Sequence, residues 1–200
     1  YTGVTTNPFT ATGLLPNTLY KFQVRSVCTS GFTSEWFGPR SFQTASFGDT
    51  CAGPIVIGTL PYQTVDNTGN YIDSNDISQP LACSSTATNY MQGNDVFYSF
   101  TPTFTGNIAI NLSPTTASSS IHVYNVCPGS PGATCLAGVA DATVNPRNIN
   151  LFPVTAGTTY YIIVSSSVAQ QTVGYTLTIQ QVFCNQPTGL AATVTSSTTA

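Results

Sequence analysis

Within the eleven residues Asp66-Asn67-Thr68-Gly69-Asn70-Tyr71-Ile72-Asp73-Ser74-Asn75-Asp76 the chain gathers three aspartates and several amide and carbonyl oxygens. Oxygens of these kinds are what hard cations such as Ca2+ take as ligands, about six to eight at a time. The spacing is not that of an EF-hand, whose loop closes on a glutamate at a set position. Asx side chains also build ordinary loops by bonding their own backbone. That plainer reading is preferred for the segment, with Ca2+ as its alternative and no other cofactor indicated.

Other chemistry is sparse. His122 is the only histidine, so neither a Ser-His-Asp triad nor a multi-histidine metal cluster can form within this chain. It reads as a satisfied or exposed strand residue. Glu35 is the only glutamate and stands beside Trp36, where packing is the simple explanation. With no paired carboxylates either, the expectation is a protein that is not an enzyme and has no catalytic residue. Trp36, Phe37, Tyr62, Tyr71 and Tyr90 fall in expected loops, where flat rings could stack on the sugars of surface glycans. Core or edge packing is the preferred reading for most of them. Asn111-Leu112-Ser113 is a glycosylation-type sequon weakened by Pro114.

The elements that must carry these residues are strands. Only 6% of residues are charged while 41% are hydrophobic, so the surface must be covered by Thr, Ser, Asn, Gln and Gly rather than left disordered. Thr and the β-branched residues suit a pleated, half-solvated face. The net charge of −3 lacks a basic patch and excludes nucleic acid as a natural partner. No apolar run approaches the roughly 20 residues of a membrane helix, so membrane insertion is not expected. No signal peptide is recognisable at Tyr1, which stands in a strand-like pattern.

Lys21-Phe22-Gln23-Val24 alternates with period two, and Asp95–Phe100, Gly106–Leu112 and Ile121–Val126 read as further strands. Thr159–Val164 is apolar on both faces and predicts a central strand covered on each side. Gly174–Gln180 alternates cleanly and is expected to close the sheet. Many short strands at this spacing predict an all-β fold of β-sandwiches. Six cysteines indicate an oxidising, extracellular setting. Cys127 and Cys135 bracket a short Pro/Gly loop and are expected to pair, with Cys51 and Cys83 as the natural second pair. Cys28 and Cys184 are left over.

Two resemblances refine this reading. Leu14-x-Pro16-x-x-x-Tyr20-x-Phe22-x-Val24 resembles the tyrosine-corner stretch of a fibronectin type III domain, which implies that the Tyr20 hydroxyl bonds back to nearby backbone. Ser34–Thr44 is similar to the last loop and strand of such domains, and Cys184-x-x-Pro187-x-Gly189-Leu190 to the first strand of another. The resemblance implies that Cys28 pairs with a residue before Tyr1 and Cys184 with one after Ala200. A head-to-tail association would instead let Cys184 of one chain meet Cys28 of the next. Between them, Gly93-Asn94-Asp95-Val96-Phe97-Tyr98-Ser99-Phe100 with Thr105-Gly106, Val123-Tyr124, Ala156–Val164 and Gly174–Ile179 resembles the pre-peptidase C-terminal-like β-sandwich of bacteria. By that likeness Asp95 supports the acidic loop above it and joins Asp66, Asp73 and Asp76 as a candidate cation ligand, although a turn residue at a strand start is the preferred reading.

The expected organisation is therefore the end of a fibronectin type III domain over 1–45, one complete jelly-roll or immunoglobulin-like sandwich over 46–182, and a following or donated first strand over 183–200. Together these imply a structural, adhesive segment of a secreted bacterial cell-surface adhesin. Its partners would be neighbouring repeats or other copies of itself, assembling head to tail. The alternative is an accessory or carbohydrate-binding module of a secreted hydrolase.

Overall fold

The computed structural model describes residues 2–6, 8–76 and 90–183. Leu19–Val24 (β1) and Phe37–Gln43 (β2) form an antiparallel hairpin that stands as its own two-stranded sheet. The strands that follow are Ile55–Ile57 (β3), Tyr62–Asn67 (β4), Val96–Phe100 (β5), Gly106–Pro114 (β6) and Ser119–Tyr124 (β7). Cys135–Asp141 (β8), Arg147–Val154 (β9), Tyr160–Ser166 (β10) and Gly174–Val182 (β11) complete the set. They build a five-stranded sheet in the order β3-β5-β10-β7-β8 facing a four-stranded sheet in the order β4-β11-β6-β9. Every described pairing is antiparallel except β3 with β5.

β10 is the central strand that its composition predicts. Ile162 and Val164 join the main core between the sheets, while Ile163 faces a second cluster with Met91, Phe97 and Tyr124 on the other side. β11 alternates as expected, with Tyr175, Leu177 and Ile179 buried. It does not close its sheet, however. It lies between β4 and β6, where consecutive residues turn their backbone groups alternately to the two neighbouring strands while only the inward face needs burial.

Two buried polar devices tie the layers. The Tyr98 and Tyr175 hydroxyls meet at 2.7 Å across the two sheets, and burial pushes both phenols well above the ordinary tyrosine value. Arg147 is fully buried. Its guanidinium donates to the carbonyls of Ser119 (2.9 Å), Asp141 (2.8 Å), Thr143 (2.6 Å) and Asn145. A cation held by four carbonyls stitches the β8–β9 connection to the start of β7.

The disulfide pairing differs from the expectation. Cys127 bonds Cys51, 76 residues away, rather than Cys135, so Cys51 is not paired with Cys83 either. The Pro/Gly loop has another closure. The Asn125 side chain accepts from the Thr134 amide at 2.7 Å and donates to the Gly132 carbonyl at 3.1 Å, leaving Cys127 to reach the segment before β3. In the chain-entropy picture a loop of this length gains about 4 kcal/mol. Cys135 is itself disulfide-bonded, Cys28 is a free, exposed thiol, and Cys83 and Cys184 lie outside the described residues.

The tyrosine pair predicts non-additive energetics. Tyr98→Phe or Tyr175→Phe alone strands one buried hydroxyl and is expected to cost about 1–3 kcal/mol, whereas the double variant should lose less than the sum. Denaturant melts of the four proteins in the cycle decide it. Additive losses would mean that the two hydroxyls do not interact.

Candidate functional site

The acidic segment divides into two parts with different roles. Asp66 at the end of β4 spends both oxygens on its own loop: Oδ1 accepts from the Asn67 amide (2.7 Å) and Asn70 Nδ2 (2.9 Å), and Oδ2 from the Tyr71 hydroxyl (2.6 Å). Asn67 caps the single 3-10 turn, Thr68–Asn70, by accepting from the Gly69 amide. The loop reading therefore holds for this half. Among the described residues no three His, Cys, Asp or Glu side chains gather to hold a metal ion, so Asp66, Asp73, Asp76 and Asp95 do not form one site. Asp66 differs from the others in that both of its oxygens already accept hydrogen bonds from its own loop.

The second half meets two other loops. Asp73 Oδ2 accepts from the Gln170 amide at 3.0 Å, and the Asn94 amide donates to the Gln171 carbonyl at 3.3 Å. Asn94 Nδ2 donates to the Tyr71 carbonyl at 2.7 Å, and the Asp95 amide to the Ile72 carbonyl at 3.3 Å. Gly93 permits this contact: a Cβ there would lie 2.0 Å from Ser166 Oγ and 2.8 Å from the Val168 carbonyl. The loops around 71–76, 92–95 and 166–172 thus form one stitched end of the sandwich.

Four side-chain oxygens on these loops are buried without a hydrogen-bond partner: Asp73 Oδ1, Asn94 Oδ1, Asp95 Oδ1 and Gln171 Oε1. Asp95 is 0% exposed, and its Oδ2 accepts from the Asn75 amide at 2.9 Å, as the resemblance implied when it set Asp95 beneath the acidic loop. Burial first, and the nearby Asp73 charge in addition, push the Asp95 carboxyl up to about 7 against the pull of the Ser165 and Asn75 hydrogen bonds. Burial and then the Asp73 charge also raise Asp76. Asn94 and Gln171 were not singled out from sequence. Neither amide belongs to an acidic run, and only the loop contacts bring them to Asp73 and Asp95.

Beside this end, a cleft of about 540 Å³ separates the hairpin from the sandwich, lined among others by Asn17, Gln43, Asp49, Asn70 and Tyr71. Asp49 is 5% exposed and leaves its Oδ1 unpartnered. The aromatic candidates scatter. Tyr90 is buried, Tyr62 packs edge-on to Tyr98 at 6.2 Å, and Tyr71 is tied to Asp66. Trp36 and Phe37 remain more than half exposed on the hairpin, Trp36 beneath the Arg25 guanidinium at 4.6 Å. His122 is fully buried in β7, not exposed, and burial lowers it to about 4. Tyr20 Oη accepts from the Leu15 amide at 2.9 Å, the local bond expected of it. The hairpin alone does not amount to a fibronectin domain.

Comparison with known proteins places residues 47–179 within the family described as galactose binding domain-like and associated with the type IX secretion system. No curated protein matches the chain. Among solved structures, it is similar to the pre-peptidase C-terminal domain of a collagenase from Bacillus anthracis, at a TM-score of 0.42 and 15% identity, covering 64% of this chain and 94% of that one. A mitogen from Yersinia pseudotuberculosis gives 0.35 and 13%, covering 68% and 98%. The carbohydrate-binding module CBM36, in complex with calcium and xylotriose, gives 0.31 and 13%, covering 58% and 98%.

The two shifted buried groups make opposite contributions to stability. Asp95 binds its proton more tightly when folded (about 7) than at the ordinary 3.8, so its contribution falls as pH rises from about 4 to 7, by about 4 kcal/mol. His122 is neutral when folded (about 4 against 6.5), so its contribution rises over about pH 4 to 6.5, by about 3 kcal/mol. In chelator the native protein should show a shallow profile. Asp95→Asn should expose the His122 rise, and His122→Gln the Asp95 fall. Urea melts from pH 4 to 8 measure this; variants with parallel profiles would refute both assignments.

Proposed function

Because the chain belongs to the galactose-binding-domain-like family, we propose that this secreted, extracellular bacterial β-sandwich binds neutral glycans rather than catalysing a reaction, with Ca2+ bracing its loop end. The observation that carries the cation part is the set of unpartnered oxygens of Asp73, Asn94, Asp95 and Gln171 on three stitched loops. Two carboxylates and two amide carbonyls suit a hard cation, with water supplying the remaining positions. Such an ion would satisfy acceptors whose desolvation is otherwise uncompensated. It would also hold Asp95 ionised at neutral pH and fix Asn70, Tyr71 and Ile72 at the edge of the cleft. The glycan part rests on the family and on the cleft wall, where Asn17, Gln43 and Asn70 offer amides and Tyr71 a ring.

A second reading is favoured by the hairpin. Phe22, Val24, Trp36, Phe37 and Phe42 are 40–57% exposed, more apolar surface than a free hairpin tolerates. This supports a structural role at the bacterial cell surface, in which the segment contacts neighbouring repeats or copies of itself and the glycan contact is adhesive.

Calcium titration followed by retention on immobilised neutral glycans tests the first reading. Ca2+ at about 100 times its Kd should raise unfolding free energy by about 2.7 kcal/mol, and Asp95→Asn should abolish the gain. Glycan retention should fall at least tenfold in chelator. A protein that Ca2+ does not stabilise lacks the cation site, and one that retains no neutral glycan in Ca2+ is not a glycan-binding domain.

A further inference from the structure

The hairpin alternates, and its aromatic face stays largely exposed. Tyr20 pairs with Phe42, Phe22 with Arg40 and, past a bulge, Val24 with Phe37. Directly paired residues share a face, so Tyr20, Phe22, Val24, Phe37 and Phe42 line one side together with Arg40, whose guanidinium lies 5.3 Å from the centre of the Phe37 ring, while Leu19, Lys21, Ser41 and Gln43 line the other. The rings already touch: Tyr20–Phe42 at 5.8 Å and Phe22–Phe42 at 6.2 Å. Even so, Phe22 is 43%, Val24 52% and Phe37 57% exposed. Two strands with one uncovered apolar face are half of a sandwich core, and such a face is completed by another segment of regular alternation.

The sequence supplies such a segment. Residues 184–200 lie outside the described residues, and within them Leu190, Ala192 and Val194 alternate with Ala191, Thr193 and Thr195. Cys184 precedes Leu190 by six residues, as Phe22 precedes Cys28 by six. A tail running antiparallel to β1 with Cys184 at the free thiol of Cys28 therefore brings Leu190 to Phe22 and Ala192 to Tyr20.

The fold decides whose tail it is. The hairpin base and the turn after β4 share the cleft through Asn17, Gln43, Asn70 and Tyr71. Asn67, at that end of β4, pairs with Gly174, the first residue of β11. β11 then runs away for nine residues and ends at Val182 beside Asn107, roughly 30 Å from the hairpin end. The chain thus leaves the sandwich at the pole opposite its own hairpin. Seventeen residues reach at most roughly 60 Å, and a return along the whole sandwich would use about half of them before any pairing began. A second copy stacked pole to pole needs no return.

Resting on the reading that this segment contacts other copies of itself, we infer that residues 184–200 of one copy pack onto the apolar face of the β1–β2 hairpin of the next. The contact is heterologous, so it gives open chains, or rings where the rotation closes, rather than two-fold dimers.

Sedimentation of the full chain tests this, together with Leu190→Asp/Val194→Asp, which alters no described residue. Mixed 14N- and 15N-labelled chains are also incubated with glutathione disulfide. There the Cys28 and Cys184 thiols give up two protons and two electrons as they join, and glutathione disulfide leaves as two reduced glutathiones. Concentration-dependent oligomers are expected, weakened at least tenfold by the double substitution, with Cys28–Cys184 peptides carrying one light and one heavy partner. Oligomers that the substitution leaves unchanged, or a Cys184 bonded to Cys135 of its own chain, would overturn the strand assignment while leaving self-contact intact. A full chain that stays monomeric at every concentration would overturn both.

Discussion

β10 must be covered on both faces, and most of the architecture answers to that requirement. A strand with Ile162 and Val164 on one side and Ile163 on the other cannot lie on a solvated sheet. One cover is the four-stranded sheet. The other is not a second sheet: Met91, Cys51 and Ala133 pack there on Phe97 and Tyr124, beside Cys135 at the start of β8. A layer of loop segments has few ladder hydrogen bonds of its own, so a covalent tie is the natural means of holding it. The Cys51–Cys127 bond joins the two ends of that cover across the sheet. This also explains why a short-range Cys127–Cys135 bridge would serve less well, since it would close a turn already closed by Asn125.

The same physics treats the hairpin differently. Its β1 alternates as cleanly as β11, yet β11 is buried on its inward face while β1 is exposed at every position but the half-buried Tyr20. Periodicity says which residues share a face. It does not say whether anything lies opposite. In the sandwich the opposing face is supplied by strands far along the chain, and for the hairpin no described strand plays that part.

This marks where the sequence was legible. β5, β6, β7, β10 and β11 are visible because each combines alternation or a continuous apolar run with Gly, Pro or Asn at its ends. The position of β11 inside its sheet was not visible, because strand order depends on long-range pairings that alternation does not encode. Arg147 was invisible for a related reason: four carbonyls accept its protons, and backbone acceptors leave no trace in side-chain patterns. The acidic segment was half legible. Counting aspartates treated Asp66 and Asp73 alike, but local bonding consumes the oxygens of one while the other keeps an oxygen free.

Asp95 shows why that difference bears on function. As a turn residue at the start of β5 it need only accept the Asn75 amide, which an asparagine carbonyl would do without burying a charge. A carboxylate in that place incurs a desolvation cost that its hydrogen bonds from Ser165, Asn75 and Ser74 do not offset. The cost can be relieved in two ways. A proton does so below about pH 7, where the group stays neutral. A cation does so above it, and the free oxygens of Asp73, Asn94 and Gln171 lie on the loops that would share it. Under the cation reading, the end of the sandwich nearest the cleft changes its charge and its stiffness together. A contact made there would then be strongest where both the ion and a neutral pH are present.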